Sequence, residues 1–158
     1  MRRLREAQAP FGSDLYRQCV ALREAVLRKP LGLTVSEEER ADDRIRQHFC
    51  AIDDGAVVAC LSLKPLDGET LQLKQMAVAQ ARRGSRLGAR LLAYAEDWAE
   101  KAGYRRIVVH ARIGAEGFYA KFGYTAEGEP FDENTIAHIQ MTKTLADAAT
   151  PERSPSCS

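Results

Sequence analysis

Long apolar runs are missing from this chain of 158 residues, and so is any strong bias of charge. No stretch approaches the roughly 18–20 apolar residues that a membrane-spanning helix requires. The opening Met1-Arg2-Arg3-Leu4-Arg5-Glu6 is basic like the start of a signal peptide. The next residues, Ala7-Gln8-Ala9-Pro10, are too few and too proline-broken to be its apolar segment. The expected location is cytoplasmic, with no membrane partner. The formal net charge is +1, so no global field favours nucleic acid or an anionic surface. Arg82, Arg83, Arg86, Arg90, Arg105 and Arg106 are basic but come without a groove-reading motif, so no nucleic-acid partner is expected. Cysteine is sparse. Cys19, Cys50, Cys60 and Cys157 form no C-x-x-C pair, and no Cys/His grouping has zinc spacing. Metal is not expected, and the thiols read as reduced and mostly buried.

What is present is the composition of an ordinary globular protein, 45% hydrophobic and 28% charged. The length suits a single domain over residues 1–145. Residues 146–158, rich in Ala, Ser, Pro and charge, read as a disordered tail. Ser13 is placed to cap a helix whose apolar positions run Leu15, Tyr16, Cys19, Val20, Val26 and Leu27. The run Lys29-Pro30-Leu31-Gly32 ends it. Ser36-Glu37-Glu38-Glu39 has capping-box spacing and predicts a second, short helix. Strands at 48–52 and 56–61 flank the turn Asp53-Asp54-Gly55. A third is predicted over 70–78, alternating through Leu71, Leu73 and Met76. From Leu87 the period lengthens: Leu87, Leu91, Tyr94, Ala95, Trp98 and Ala102 form a helical stripe closed by Gly103. Ile107-Val108-Val109 reads as a strand buried on both faces. A brief helix over 115–121 and a strand over 136–144 complete the chain's predicted elements. The expected class is α+β, with a mixed sheet.

The segment Met76-Ala77-Val78-Ala79-Gln80-Ala81-Arg82-Arg83-Gly84-Ser85-Arg86-Leu87-Gly88-Ala89 sets a basic, glycine-punctuated turn between a strand and a long helix. A helix start offers free N–H groups and partial positive charge, which suits phosphate. Gly84 and Gly88 would let a ligand approach the backbone. On physics alone, an ordinary helix start with a solvated basic edge fits equally well. No Gly-Lys-Ser/Thr succeeds the turn, so this is not a P-loop. Nor is there a second βαβ unit with a ribose-binding acid, so it is not a dinucleotide fingerprint.

The turn resembles the pyrophosphate loop of the GNAT N-acetyltransferase superfamily, Arg/Gln-x-x-Gly-x-Gly/Ala. Arg83-Gly84-Ser85-Arg86-Leu87-Gly88 matches it at both ends, while Arg86 stands where the family has its middle glycine. A second segment, Ala115 to Tyr124 with Phe118-Tyr119-Ala120-Lys121-Phe122-Gly123-Tyr124 at its core, is similar to the family's Ala-x-x-Phe-Tyr-x-Lys-x-Gly-Phe/Tyr. The two occur in family order, with a helix between them. The resemblance implies a GNAT-like fold, a mostly antiparallel sheet of six to seven strands with helices on both faces. It also implies acetyl-CoA as cosubstrate and direct attack of a primary amine on the thioester. The acceptor would be a small molecule or a protein. A homodimer would be in keeping with similar proteins, though the sequence leaves the oligomeric state open.

By the same resemblance, Met76, Ala77 and Val78 would line the pantetheine and acetyl group, with a backbone N–H of the bulged strand facing the oxyanion. Arg83, Gly84, Ser85, Arg86, Leu87, Gly88, Ala89 and Phe118 would bind the cofactor. Tyr119 would protonate the departing thiolate, since a tyrosine stays protonated at neutral pH. The base is open. Gln72 stands where many relatives place glutamate, and Glu69 lies beside a turn. His110, Glu133 and His138 are the remaining candidates: His138 for proton relay, His110 and Glu133 for binding the acceptor. His48 reads as structural or exposed. Arg86 and Gln72 also leave open a non-catalytic acyl-CoA-binding module, against which Tyr119 argues.

Overall fold

The computed structural model describes residues 4–32, 36–133 and 135–145, so the tail expected over 146–158 and Cys157 lie outside the described residues. Seven strands form one mixed sheet in the order β1-β2-β3-β4-β5-β7-β6. They are β1 (Leu4–Gln8), β2 (Gln47–Asp53), β3 (Ala56–Pro65), β4 (Thr70–Val78), β5 (Arg106–Arg112), β6 (Thr125–Glu133) and β7 (Ile136–Thr144). Among the described residues four α-helices accompany them: α1 (Asp14–Arg23), α2 (Glu37–Asp42), α3 (Leu87–Lys101) and α4 (Glu116–Ala120). The chain clusters into two compact units. One holds residues up to Lys64 together with Lys74–Glu96; the other holds Pro65–Leu73 and the residues from Asp97 on.

In the first unit, local chemistry sets the helix ends. The Ser13 hydroxyl accepts from Tyr16 N–H at 3.1 Å, and Ser36 and Glu39 form a reciprocal capping box. α1 runs on through a π turn, Glu24–Arg28, and a 3-10 turn, Lys29–Leu31, which Gly32 ends at φ +73°. Its buried positions are Tyr16, Cys19, Val20 and Arg23. Asp54 and Gly55 both take positive φ, as a two-residue hairpin turn between twisted strands requires. β1 adds to β2 antiparallel, from Leu4 opposite Asp53 to Gln8 opposite Phe49. Ala9, Cys19, Cys50, Ile52, Cys60 and Ala77 form a core cluster, with Leu15, Leu22, Val26 and Leu27 packed on it. Cys50 and Cys60 face each other across β2 and β3 as free thiols. A hydrogen bond with Cys19, together with burial, pushes the Cys50 thiol well above its ordinary range, so it is inert packing rather than a nucleophile.

Charge is also buried in this unit. Asp43 accepts from Tyr16 Oη at 2.6 Å and from Arg23 Nη1 at 2.9 Å, and pairs with Arg46 Nη1 at 3.2 Å. Arg28 grips Glu39 side-on, donating from Nε and Nη2 to the two carboxylate oxygens at 3.0 and 2.6 Å. Buried His48 bonds the Asp43 carbonyl through Nε2 at 2.9 Å, and burial holds its imidazole below the usual range. The structural half of the His48 expectation is thus met.

In the second unit, the first residues of β4 run parallel to β5, Thr70 opposite Arg106 to Leu73 opposite Val109. β5 pairs antiparallel with β7, and β7 with β6. Burial on β5 alternates: Ile107, Val109 and Ala111 are buried, while Val108 and His110 are only half-buried. The expectation of a strand buried on both faces is therefore corrected, since the side of Val108 and His110 is only half-buried and meets the polar side chains of Gln72 and Glu133. A second correction concerns β4, where Ala77 rather than Met76 is buried beyond Leu71 and Leu73. Between them Gln75 takes φ +54°, a kink in mid-strand. β1 and β6 were not among the strands expected from the sequence.

Candidate functional site

The basic turn is built where β4 ends. Ala79 N–H bonds the Val58 carbonyl at 2.8 Å, a 3-10 turn covers Gln80–Arg82, and Gly84 then reverses the chain at φ +83°. Arg82 is not free for a ligand: its Nη2 lies 2.5 Å from the buried Asp53 carboxylate. Arg83 and Arg86 are exposed. Arg86, in place of a glycine, takes φ +67°, so the backbone keeps a glycine-like course while the side chain reaches solvent. Leu87 and Leu91 anchor the helix in the core, at 2% and 0% exposure.

The helical hydrogen bonds begin with Arg90 N–H to the Arg86 carbonyl, at 3.0 Å. The N–H groups of Leu87, Gly88 and Ala89 thus have no partner among the described residues, at the positive end of a helix of 15 residues. That arrangement suits an oxyanion or phosphate. Met76, Ala77 and Val78 lie in the same unit at the end of β4. A cleft of about 450 Å³ opens beside the turn, lined by Leu22, Ala25, Val26, Pro30, Ala79, Gln80 and Arg83.

In the second unit, Gly114 and Gly123 bracket the short α4 with φ of +106° and +93°. The Glu116 carboxylate accepts from Gly114 N–H and steadies the approach to the helix. Tyr119 is 8% exposed, with Phe118 and Tyr124 edge-on at centroid distances of 5.1 and 5.7 Å. Burial pushes its phenol up to about 12, so it holds its proton throughout the neutral range.

β5, β6 and β7 bring together residues that the sequence only nominated separately. His110 Nδ1 lies 3.0 Å from Glu133 Oε1, and the Gln72 carboxamide nitrogen is 3.5 Å from the same ring nitrogen. Phe131 meets His110 edge-on at 5.0 Å and stacks on His138 at 6.0 Å. His138 is buried, and its Nδ1 bonds the Ile136 carbonyl at 2.7 Å. Glu69 sits in the exposed turn that Asp67 organises by accepting from its N–H at 2.8 Å.

One group of residues escaped the sequence reading. The Gln75 side chain accepts from Arg46 and donates to Glu39, tying the β4 kink to α2 and its neighbours. A local signal existed in the four-residue spacing of Asp42 and Arg46, which do pair at 2.6 Å.

Known proteins share both the sequence pattern and the fold. The family model described as "Acetyltransferase (GNAT) family" matches residues 13–124. The uncharacterized N-acetyltransferase YitI of Bacillus subtilis (strain 168) is 31% identical over 105 residues, covering 62% of this chain and 70% of that protein. The chain spans 39% and 53% of the length of two further curated relatives. Among solved structures, an acyl-CoA N-acyltransferase from Pseudomonas aeruginosa shares the fold with a TM-score of 0.77 at 23% identity, over 89% of this chain and 99% of that one. A GNAT family acetyltransferase from Elizabethkingia anophelis, solved with acetyl-CoA bound, matches with a TM-score of 0.71 at 21% identity, over 90% and 98%.

Proposed function

The chain belongs to the GNAT family of acetyltransferases, and from that premise we propose that it transfers an acetyl group from acetyl-CoA to a primary amine of a small molecule or protein. The observation that carries the reading is the set of unpartnered N–H groups where α3 begins, beyond a turn that keeps glycine-like backbone at both Gly84 and Arg86. Those donors fit a pyrophosphate, and exposed Arg83 and Arg86 add the matching charge. Residues 83–89 would hold the phosphates. Met76, Ala77 and Val78 would line the arm that ends in the thioester, and Phe118 is a further residue proposed for the cofactor.

Acetyl-CoA supplies an activated acetyl group when bound; the chain's own residues orient it and handle protons. Backbone N–H groups of the kinked β4 would face the oxygen on which negative charge grows. The Tyr119 hydroxyl would hold a proton for the departing sulfur, and its burial keeps that proton in place at neutral pH. Residues 1–145 would serve as one acetyltransferase domain, acting in the cytoplasm. Among the described residues no helix is long and apolar enough to cross a membrane.

The test is CoA release from acetyl-CoA across a panel of amines, with cofactor binding measured separately. Tyr119→Phe is expected to lower kcat by roughly 10²–10⁴-fold with little change in acetyl-CoA affinity. Gly84→Glu should abolish binding, because it sets a carboxylate against phosphate at a backbone position that strains any side chain. Acetyl-CoA binding without CoA release for any amine would favour a non-catalytic acyl-CoA module.

A further inference from the structure

We infer that His110, held by Glu133, is the base that takes the proton an acceptor ammonium must lose before it attacks. The inference rests on the acetyltransferase reading above. The contact of 3.0 Å between His110 Nδ1 and Glu133 Oε1 puts the ring proton on Nδ1. Nε2 then carries the lone pair, and it has no partner among the described residues. Phe131 against the ring and the Gln72 carboxamide on the Nδ1 side limit rotation, so the lone pair has a set direction. The side chains of His110 and Glu133 are 30% and 40% exposed, so a solute can reach them.

The surroundings are consistent with this assignment. His110 lies on the half-buried side of β5, opposite Gln140 of β7. The charged or titratable groups around it on the paired strands include Glu133 and Glu127 from β6, Arg112 two residues along β5, and His138 from β7, opposite Arg112; Glu127 is occupied by Gln140 and Thr142. Gln72 of β4, which is uncharged, brings its carboxamide nitrogen to 3.5 Å from Nδ1. His138 is a weaker base candidate, being buried with one nitrogen committed to the Ile136 carbonyl. In the step itself, an ammonium N–H bond breaks and leaves its electron pair on nitrogen, while a new N–H bond forms at His110 Nε2. The imidazolium so formed sits beside the Glu133 carboxylate. The freed lone pair makes the C–N bond as the C–S bond breaks, and the thiolate takes the Tyr119 proton. The second proton, strongly acidic on the acylated nitrogen, leaves through solvent and restores the Tyr119 phenol, so the amide is neutral and the free CoA is a thiol.

The experiment measures kcat against pH for the full chain, using the primary alkylamine that gives the fastest CoA release. The proteins compared are wild type, His110→Ala, His110→Gln and Glu133→Gln. Thermal melts and acetyl-CoA titrations verify that each variant is folded and binds. The expected result for both His110 variants is a drop in kcat of about 10²-fold or more with KM for acetyl-CoA unchanged. The fall of kcat toward acid pH should vanish with the imidazole, and added imidazole should restore part of the activity of His110→Ala. Wild-type rates, or an unaltered acid limb, in either folded His110 variant would overturn the assignment. A wild-type protein that releases no CoA with any amine would instead remove the acetyltransferase reading, and this inference with it.

Discussion

The Asp43 cluster and the His110–Glu133 pair are built from the same kinds of side chain, yet their surroundings differ. Asp43 is 0% exposed and Arg23 3%, and the Asp43 carboxylate is shared among Tyr16, Arg23 and Arg46. Every approach to that carboxylate is filled by protein. His110 and Glu133 are partly open, joined by one contact, with a ring nitrogen left over. A charge taken wholly out of water must be matched by fixed partners, and once matched it is scaffold. A charge at a half-open face needs only enough contact to be aimed, and stays available to a ligand. The difference lies in burial, not in residue type.

The sharpest way to break this comparison is to remove Asp43. Asp43→Ala strands Arg23 and Arg46 in the interior and should cost about 3–5 kcal/mol in urea unfolding. A loss below about 1 kcal/mol would show that the cluster is no more structural than the open pair. The next effect comes from alkali. Burial, with the Asp43 carboxylate beside it, pushes the Tyr16 phenol up to about 12, and burial pushes Tyr119 to about 12 as well. Both are raised above the ordinary value near 10, so the stability they contribute is complete below about pH 10 and is lost as pH rises through about 12. Thermal melts should therefore fall across that window, and Tyr16→Phe should flatten part of the fall.

Smaller effects sharpen the contrast further. Arg86→Gly relieves a left-handed backbone at an exposed residue, and should raise stability by about 0.5–1 kcal/mol, net of glycine's entropy. Acetyl-CoA affinity should fall modestly, by a few-fold, because an exposed charge beside the phosphates goes with the side chain, as titration would show. The smallest stability change is expected for Glu133→Gln, within about 0.5 kcal/mol by denaturation. A large loss there would mark the pair as structural.

Much of the fold was legible because its signals are local. The Ser13 cap, the Ser36–Glu39 capping box, the Asp54-Gly55 turn and the stripe from Leu87 each act within a turn or two of backbone, and the chain adopts them where they occur. β1 and β6 were not legible. β6 carries Gly128 and Pro130, is exposed over Thr125–Pro130, and shifts register between Glu127 and Phe131. It is a strand because β7 offers it a ladder, not because its own residues alternate. Edge strands depend on a neighbour in this way.

The candidate site divides along the same boundary. The turn at 83–89 and the Phe118-Tyr119 segment could be named from sequence, since glycines, a helix start and an aromatic pair are short-range features. The sequence alone thus determined a phosphate-suited turn and an aromatic pair with a tyrosine in it; that the tyrosine loses its solvent came from the tertiary structure. Only the tertiary structure decided that Arg82 is spent on Asp53, that Arg86 can take a glycine's course with its side chain outside, and that His110 meets Glu133 across 23 residues. The physical reason is range. Backbone preferences are settled by near neighbours, whereas burial and pairing of charge depend on which distant strands share a register, and no single segment carries that information.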